Sequence, residues 1–455
     1  MKTPVWQAAL AFALLLGGCS AREPAPAYDT RPGAYATAPL PLEDEDLEWY
    51  SRFALVESGD LHEPGDPDLA ELRRRGTRFL LYDWMPAGYH YTDGGPDFPL
   101  MQWVYANREQ LTLNPDGPFP HCEEAGYDWC EDYYYNLGSD ELLERRVADV
   151  TGNLEAAGAA GVFFDWGPGV FIEEDAYAPI RQRFAELNPG CDYLAAVGGF
   201  YSRLRAAMPD RLIVSNQGFR NPENVLPYVD YDITESYAVS DGELGRRLYL
   251  AGRGWTDVPG TVYFPVSPDF RHGELRDTIE LLDYLSELAS RYAGGRFGGY
   301  VYLGYAAPEF VQTGTLADGT AVYEARPPRA AIYYGYAVPL LKGWTGYTEV
   351  PWDRRLERLP LYFADLGAPL GDDYEDHGGY FLRCYEKGLV VVGEGALAGE
   401  LTLRSPCIAA GRVYDLYRRK WLRAGTGELT VNVEPAVDEA SGGPAPWGRV
   451  FVYAR

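Results

Sequence analysis

The stretch GVFFDWGPG, residues 161–169, decides how the chain is interpreted. A glycine and three large apolar residues lead directly to the carboxylate of Asp165, and Trp166 and a Gly-Pro-Gly turn follow. A run without polar alternation is typical of a strand that is buried on both faces, as in a parallel sheet. The stretch therefore predicts a buried strand that ends on an acid.

Seven further runs share this character and alternate with helix-like stretches, one of which Ser139 is expected to cap. The runs are FALVES (53–58), RFLLYDW (78–84), DYYYNL (132–137), RLIVSNQG (211–218), YDITESYA (231–238), GTVYFPVS (260–267) and GYVYLGYA (299–306). Eight strands with interleaved helices predict an α/β fold, a (β/α)8 TIM barrel over residues 46–365, closed by a last helix near residue 344. An open doubly wound sheet is the alternative, although no GxGxxG or P-loop pattern supports it.

The sequence pattern changes towards the C-terminus, where short strand-like runs are joined by Gly and Pro turns without helices. This pattern predicts a small C-terminal antiparallel β-sandwich over residues 376–455. We expect this domain to brace the barrel, and glycan binding is the alternative.

The N-terminal residues 1–19 are typical of an export signal, with a lysine, a short apolar run and small residues before Cys19. LGGC resembles the lipobox of bacterial lipoproteins, which implies that Cys19 is lipidated; a plain secretory signal is the alternative. Residues 20–45 are rich in Pro and Ala and predict an extended tether. The expected product is an exported lipoprotein at the periplasmic face or the cell surface, held to the membrane by its lipid alone.

Export to an oxidising compartment makes disulfides an expectation for the other cysteines. Cys122 could pair with Cys130 across a short acidic loop, and Cys384 could pair with Cys407, which leaves Cys191 over. No close CxxC spacing occurs and the five histidines are scattered, so neither a metal nor another cofactor is predicted.

The charge and the aromatic content narrow the class of partner. A formal net charge of -27 repels nucleic acid and anionic membranes, so a polyanionic partner is not expected. Aromatic residues make up 14% of the chain. They serve either core packing or the stacking of sugar rings, which present an apolar face between polar edges.

Polar and aromatic side chains recur where the predicted strands end, and these ends meet at one rim of a barrel. The two principal acids are Asp165 and Glu235. Further rim candidates for substrate binding are Glu57, Asp83, Trp84, Trp166, Asn216, Gln217, Tyr237 and Tyr305.

Two carboxylates that face each other across an aromatic rim indicate cleavage of glycosidic bonds. We assign Asp165 as nucleophile or base and Glu235 as general acid/base, and the reverse assignment stays open. A non-catalytic carbohydrate-binding protein on a hydrolase-like barrel is the alternative. Another hydrolase, such as a deacetylase or peptidase, is disfavoured because neither HExxH nor GxSxG occurs.

The motifs GVFFDWGPG, LIVSNQGFRN and DYDITESYA resemble those of bacterial putative glycoside-hydrolase barrels, including endo-α-1,4-polygalactosaminidase-like enzymes. The resemblance implies an acid at the end of strand four and a glutamate at the end of strand six, which Asp165 and Glu235 match. The layout is similar to that of the α-galactosidase-like clan. It departs from that clan at Phe163, which stands where the clan has a lysine two residues before the acid.

Overall fold

Eight parallel strands form the main sheet of the structure, which is a computed structural model. Their order across the sheet follows their order along the chain. The strands are β1 (Tyr35–Ala38), β2 (Leu55–Ser58), β3 (Arg78–Trp84), β6 (Gly161–Asp165), β7 (Leu212–Asn216), β8 (Tyr231–Glu235), β9 (Tyr300–Tyr305) and β12 (Thr345–Glu349). The structure describes residues 35–38, 44–53, 55–58, 67–89, 99–116, 132–173, 175–235, 275–305, 309–315, 321–326, 329–349, 359, 361, 364–435 and 444–454.

Helices alternate with these strands, as expected for an α/β fold. They are α1 (Asp44–Tyr50), α2 (Pro67–Arg74), α3 (Pro99–Ala106), α4 (Arg108–Leu111), α5 (Asp140–Ala157), α6 (Ala178–Leu187), α7 (Tyr193–Ala207), α8 (Pro222–Val225), α9 (Leu275–Tyr292) and α10 (Arg329–Leu340). Helix α5 begins at the predicted cap, because Oγ of Ser139 accepts a hydrogen bond from the N–H of Leu142. The cap at Ser139 is thus confirmed.

The first and last strands of the sheet approach each other, with Cα atoms of β1 and β12 within 8 Å. Among the described residues no hydrogen-bonded pairing joins these two strands, so the described pairings form one parallel sheet that curves enough to bring its two edge strands near each other. Strand β6 lies near its centre, between β3 and β7, and therefore has a hydrogen-bonded neighbour on each side.

The strand prediction needs three corrections. The run DYYYNL does not join the main sheet: β5 (Asp132–Tyr134) pairs antiparallel with β4 (Ala87–Tyr89), because a short buried aromatic run carries no information about its partner. Strand β1 lies inside the stretch predicted as a tether, so the sheet starts before residue 46. The helix expected to close the barrel is followed by one more strand, β12. The run at 260–267 lies outside the described residues.

The C-terminal region contains antiparallel sheets, in line with the prediction of an all-β region. One sheet has the order β13 (Glu375–Asp376), β14 (Tyr380–Tyr385), β15 (Gly388–Gly393), β20 (Trp447–Tyr453), β17 (Gly411–Asp415) and β18 (Lys420–Ala424). A second sheet pairs β16 (Gly399–Arg404) with β19 (Glu428–Val433). A further hairpin, β10 (Glu309–Thr315) with β11 (Ala321–Arg326), follows β9. One buried cluster joins Leu382 and Val391 of the larger C-terminal sheet to Leu403 and Val431 of the smaller one.

A disulfide joins Cys384 to Cys407 with Cα atoms 6.3 Å apart. Cys191 is an exposed free thiol. The other three cysteines of the sequence, Cys19, Cys122 and Cys130, lie outside the described residues, so the pairing of the last two stays a prediction.

Helix α10 connects the two parts of the fold. The hydroxyl of Tyr333 donates a hydrogen bond of 2.9 Å to the carbonyl oxygen of Leu416. The backbone of β20 comes so close that a β-carbon on Gly448 would lie 2.5 Å from the carbonyl oxygen of Tyr333. Only glycine fits this approach, so the β-domain rests directly on the last helix of the α/β part.

None of the helices in the described ranges combines the length and the apolar composition that a membrane span requires.

Candidate active site

Asp165 ends strand β6 at the carboxyl edge of the parallel sheet, and its carboxylate is held by three donors. Oδ2 accepts a hydrogen bond of 2.7 Å from the hydroxyl of Tyr82. Oδ1 accepts from Nδ2 of Asn216 at 2.7 Å and from the N–H of Trp166 at 2.8 Å. An ionised carboxylate suits this set, because it only accepts hydrogen bonds and all three neighbours donate.

The register of the sheet explains why these side chains meet. Trp84 of β3 pairs with Asp165, and Asn216 lies at the same level on β7, one residue beyond the pair Phe164–Ser215. Residues at one level of a parallel sheet point to the same face, and so do residues two apart along a strand. Tyr82, two residues before Trp84, therefore shares a face with Asp165 and reaches it from the level below.

Asn216, a predicted substrate-binding residue, donates a hydrogen bond to the carboxylate of Asp165 in the structure. Its side chain is 3% exposed. Its Nδ2 is used by Asp165, whereas its Oδ1 is buried without a hydrogen-bond partner. The amide thus contributes its donor to the carboxylate of Asp165, and its acceptor has no partner among the described residues.

The backbone is strained immediately after both of these strands. Trp166 follows Asp165 with a φ of 51°, and Gln217 follows Asn216 with a φ of 58°. Non-glycine residues occupy this left-handed region at a cost of about 1–3 kcal/mol each, and such residues cluster at functional sites. The chain therefore adopts the strained left-handed conformation directly after Asp165 and again directly after Asn216, at the ends of two neighbouring strands.

A buried acid fixes the second of these turns. Asp232 of β8 accepts hydrogen bonds from the N–H groups of Gly218 and Phe219 at 2.7 and 2.9 Å. Burial raises the pKa of Asp232 well above its usual value, and the backbone hydrogen bonds offset part of that rise. Asp232 thereby anchors the loop that carries Gln217, whose own N–H bonds the carbonyl oxygen of Ile233 at 2.7 Å.

Aromatic rings surround the exit of strand β6. The rings of Trp84 and Trp166 meet edge to face at 5.9 Å, and Trp166 also contacts Phe171 at 5.4 Å and Tyr177 at 6.2 Å. Trp166 nevertheless stays 38% exposed, the largest aromatic surface beside Asp165 among the described residues. A supported, half-open indole next to a carboxylate is suited to stacking against a sugar ring.

Asp83 is not at the rim, and this placement corrects the sequence analysis. Because Trp84 shares the level and face of Asp165, Asp83 points the opposite way, towards the helices, where its Oδ1 accepts a hydrogen bond from Arg146. Arg146 is buried, which opposes its charge, but Asp83 and Tyr135 raise its pKa above the usual value. Asp83 therefore neutralises a buried guanidinium and points away from the face that carries Asp165.

Glu57 lies deeper than the sequence suggested. Its partner on β3 is Leu80, four residues before Trp84, so it stands well below the level of Asp165. The side chain is buried. The stagger of neighbouring strands, which sequence does not reveal, accounts for the difference.

The remaining rim candidates are placed only in part. The backbone of Glu235 ends β8, where it pairs with Leu303 and stands two residues beyond Ile233, the register partner of Asn216. Tyr305 ends β9 and pairs with Glu349 of β12. Tyr237 lies outside the described residues.

Sequence analysis missed Tyr82, although a signal was present. Period-two alternation in RFLLYDW places Tyr82 and Trp84 on one face.

In the described part of the chain, no lysine, arginine or histidine lies within ion-pair distance of Asp165, and no group of three or more His, Cys, Asp or Glu side chains is arranged to hold a metal. The site thus consists of a hydrogen-bonded carboxyl group with no cation beside it among the described residues.

No protein-family profile and no curated protein matches the chain. Solved structures similar to it are glycoside hydrolases. The hydrolase domain of PelA from Pseudomonas aeruginosa is 15% identical with a TM-score of 0.38, over 60% of this chain and 84% of that one. A noncanonic maltogenic alpha-amylase, AmyB from Thermotoga neapolitana, is 10% identical with a TM-score of 0.46, over 92% and 98%. Amy13B from Eubacterium rectale is 9% identical with a TM-score of 0.49, over 95% and 97%. At these values the likeness assigns neither an activity nor a substrate.

Proposed function

We propose that the chain is a glycoside hydrolase that cleaves glycosidic bonds in a poly- or oligosaccharide, with Asp165 as nucleophile or base. The observation that carries the proposal is the carboxylate of Asp165, held by three donors beside the half-exposed ring of Trp166. Glycosidic cleavage needs an ionised carboxylate on one side of the anomeric carbon. Asp165 differs in this respect from Asp83, whose carboxylate is paired with Arg146.

The hydrogen bonds distinguish the two oxygens of Asp165. Oδ1 accepts two of them and Oδ2 accepts one, from Tyr82. A carboxylate oxygen has about two lone pairs for hydrogen bonds, so Oδ2 keeps one that is not engaged. We assign Oδ2 as the atom that attacks the anomeric carbon or takes a proton from water, with Tyr82 and Asn216 as positioning residues.

Glu235 is the proposed general acid/base. It ends the second strand over from Asp165 and stands two residues further along. With strands about 4.8 Å apart and a rise of about 3.3 Å per residue, the two Cα atoms are about 12 Å apart. Two carboxylic side chains that extend towards each other from such positions reach the ~5–9.5 Å that separates catalytic pairs.

The sugar is proposed to stack on Trp166 and Trp84, with Gln217, Tyr237 and Tyr305 as further contacts. The left-handed conformations at Trp166 and Gln217 support this role, because such strain is retained where it positions a group. We propose further that the sheet closes between β1 and β12 into a barrel, which would surround the site with strand ends.

The test compares the wild type with Asp165→Asn and Glu235→Gln on a panel of glycans that includes polygalactosamine, the polymer named by the family resemblance. We expect reducing ends to appear with the wild type and turnover to fall at least about a thousandfold in both variants, while glycan binding persists. Arg145→Gln, an exposed change on α5, is the matched control. Glycan binding without turnover by the wild type would establish the non-catalytic alternative, and equal turnover by all proteins would place the chemistry elsewhere.

We propose in addition that Cys19 is acylated and that the protein is exported and anchored by this lipid. The support is the sequence LGGC after a short apolar run. Labelling with radioactive palmitate in a bacterial host should mark the wild type and leave Cys19→Ser unmarked. Release of an unlabelled wild type into the medium would instead indicate a plain secretory signal.

A further inference from the structure

The hairpin β17–β18 of the C-terminal sheet has a charge opposite to that of the chain. Residues 411–424 read GRVYDLYRRKWLRA and contain five basic residues, Arg412, Arg418, Arg419, Lys420 and Arg423, within a protein of net charge -27. The one acid of the hairpin, Asp415, is buried and accepts hydrogen bonds from the N–H groups of residues 417 and 418. The exposed charged side chains of this hairpin are therefore all basic.

The register of the hairpin forms a compact surface that we call the arginine–aromatic patch, made of Arg412, Tyr414, Trp421 and Arg423. Arg412 lies directly opposite Arg423, and Tyr414 lies directly opposite Trp421. Because side chains alternate along a strand, these four share one face while Val413 turns into the core. Trp421 is 48% exposed.

The patch is unfavourable for the hairpin itself. Like charges directly opposite each other on antiparallel strands destabilise the pairing. Among the described residues no carboxylate lies within ion-pair distance of Arg412 or Arg423, although other arginines of the domain have such partners, as Arg418 has in Glu434 at 3.5 Å. The guanidinium of Arg412 instead lies over the ring of Trp421 at 4.3 Å. A bound anion would relieve the repulsion between the two arginines.

The patch is also accessible from the edge of the sheet. Strand β18 is the outermost strand, so its far side has no pairing partner in the described residues. Tyr414 pairs with Val452, which packs against the core that includes α10. The patch thus continues the sheet face that rests on the α/β part, beyond the area that α10 covers.

We propose that the arginine–aromatic patch binds an anionic polysaccharide, one whose sugars carry carboxylate groups. The arginine pair offers planar donor groups to a carboxylate, and the aromatic pair offers ring faces to the apolar side of a sugar. The two pairs lie two residues apart along the strands, about 7 Å. The exposed part of Trp421 can therefore support one sugar while the carboxylate of its neighbour reaches Arg412 and Arg423.

Charge decides between this ligand and the other polyanions. A membrane surface or a nucleic acid is extended and would meet the acidic remainder of the chain as well as the hairpin. An acidic polysaccharide carries each carboxylate on a sugar ring, which matches an arginine pair that lies beside an aromatic pair. This site lies outside the centre around Asp165 and extends the proposed function, because it assigns a second ligand to the β-domain.

The test is calorimetric titration of the full chain carrying Asp165→Asn with polygalacturonate and with alginate, so that no cleavage enters the measurement. We expect binding that weakens as salt is raised. The double variant Arg412→Gln/Arg423→Gln and the variant Trp421→Ala should each bind at least about tenfold more weakly, a loss of ~1.4 kcal/mol. Arg404→Gln, an exposed arginine on β16, is the matched control and should bind unchanged.

Arg423→Glu separates folding from binding. The new glutamate stands opposite Arg412 and forms a favourable cross-strand pair, so the thermal midpoint should stay equal or rise while polymer binding is lost. Retained binding in this variant would overturn the proposal. So would equal binding of fully methyl-esterified polygalacturonate, no binding of either acidic polymer, or binding to phosphatidylglycerol vesicles without binding to the polymers. Polymer binding by a chain that hydrolyses no glycan would leave this site standing while the proposed function fails.

Discussion

Removal of a single hydroxyl tests how Asp165 is held. In Tyr82→Phe the ring keeps its contact with Phe163 at 5.7 Å, and the donor to Oδ2 of Asp165 is lost. A hydrogen bond to a charged group contributes about 1.5–3 kcal/mol, which corresponds to a loss of about 10- to 150-fold in rate. Because Tyr82 positions the carboxylate and is not assigned a contact with the sugar, we expect kcat to fall and KM to stay unchanged.

The matched control is Tyr193→Phe. Tyr193 packs in the same aromatic region, 6.0 Å from the ring of Phe171, but its hydroxyl is buried without a hydrogen-bond partner. Its removal should leave kcat unchanged and should maintain or raise stability. Steady-state kinetics on the glycan that the wild type cleaves, together with urea unfolding of each protein, provide the assay. Full kcat in Tyr82→Phe, or an equal loss in both variants, would refute the assigned role of Tyr82.

Three further predictions concern the scaffold. Arg146→Met breaks the buried pair with Asp83 and should lower the free energy of unfolding by about 3–5 kcal/mol in urea titrations, whereas the exposed Arg145→Met should change it by less than about 0.5 kcal/mol. Trp166→Gly should be about 1 kcal/mol more stable than Trp166→Ala, because φ there is 51°; equal stabilities would argue against the left-handed conformation. Burial raises the pKa of Asp232 in the folded protein. The stabilising contribution of Asp232 is therefore complete below the pKa of this residue in the unfolded chain, and it is lost as the pH rises through the pKa in the folded protein. The free energy of unfolding of the wild type minus that of Asp232→Asn should therefore fall above about pH 4, and a flat or rising difference would contradict the shift.

Much of the parallel sheet could be predicted because its central strands are long apolar runs. GVFFD and LIVSN are buried almost throughout, and nothing but a buried strand fits such runs between helices. Short segments could not be placed in the same way. YATA at 35–38 has no pattern that distinguishes it from a tether, and three consecutive buried tyrosines at 133–135 suit a hairpin as well as a barrel.

The candidate site was predictable in its centre and not at its margins. Asp165 and Asn216 end long strands, and their order along the chain already placed them side by side. The prediction that Asp83 lies at the rim was wrong because a shift of one residue along a strand moves a side chain to the opposite face. The signal that would have corrected it lies in α5, where Arg146 occupies the apolar stripe formed by residues 142, 143, 150 and 154 and therefore needs a buried acid.

Chemical rescue of Asp165→Ala by formate tests most directly whether this carboxylate performs the reaction. The substitution leaves a space lined by the Tyr82 hydroxyl, the Asn216 amide and the N–H of residue 166, a set of donors that fits a small carboxylate. The account predicts that the variant binds the glycan, hydrolyses it at least about a thousandfold more slowly than the wild type, and regains at least about a hundredfold in rate with added formate. Wild-type turnover by the variant, or a dead variant that binds its glycan and gains nothing from formate, would contradict it.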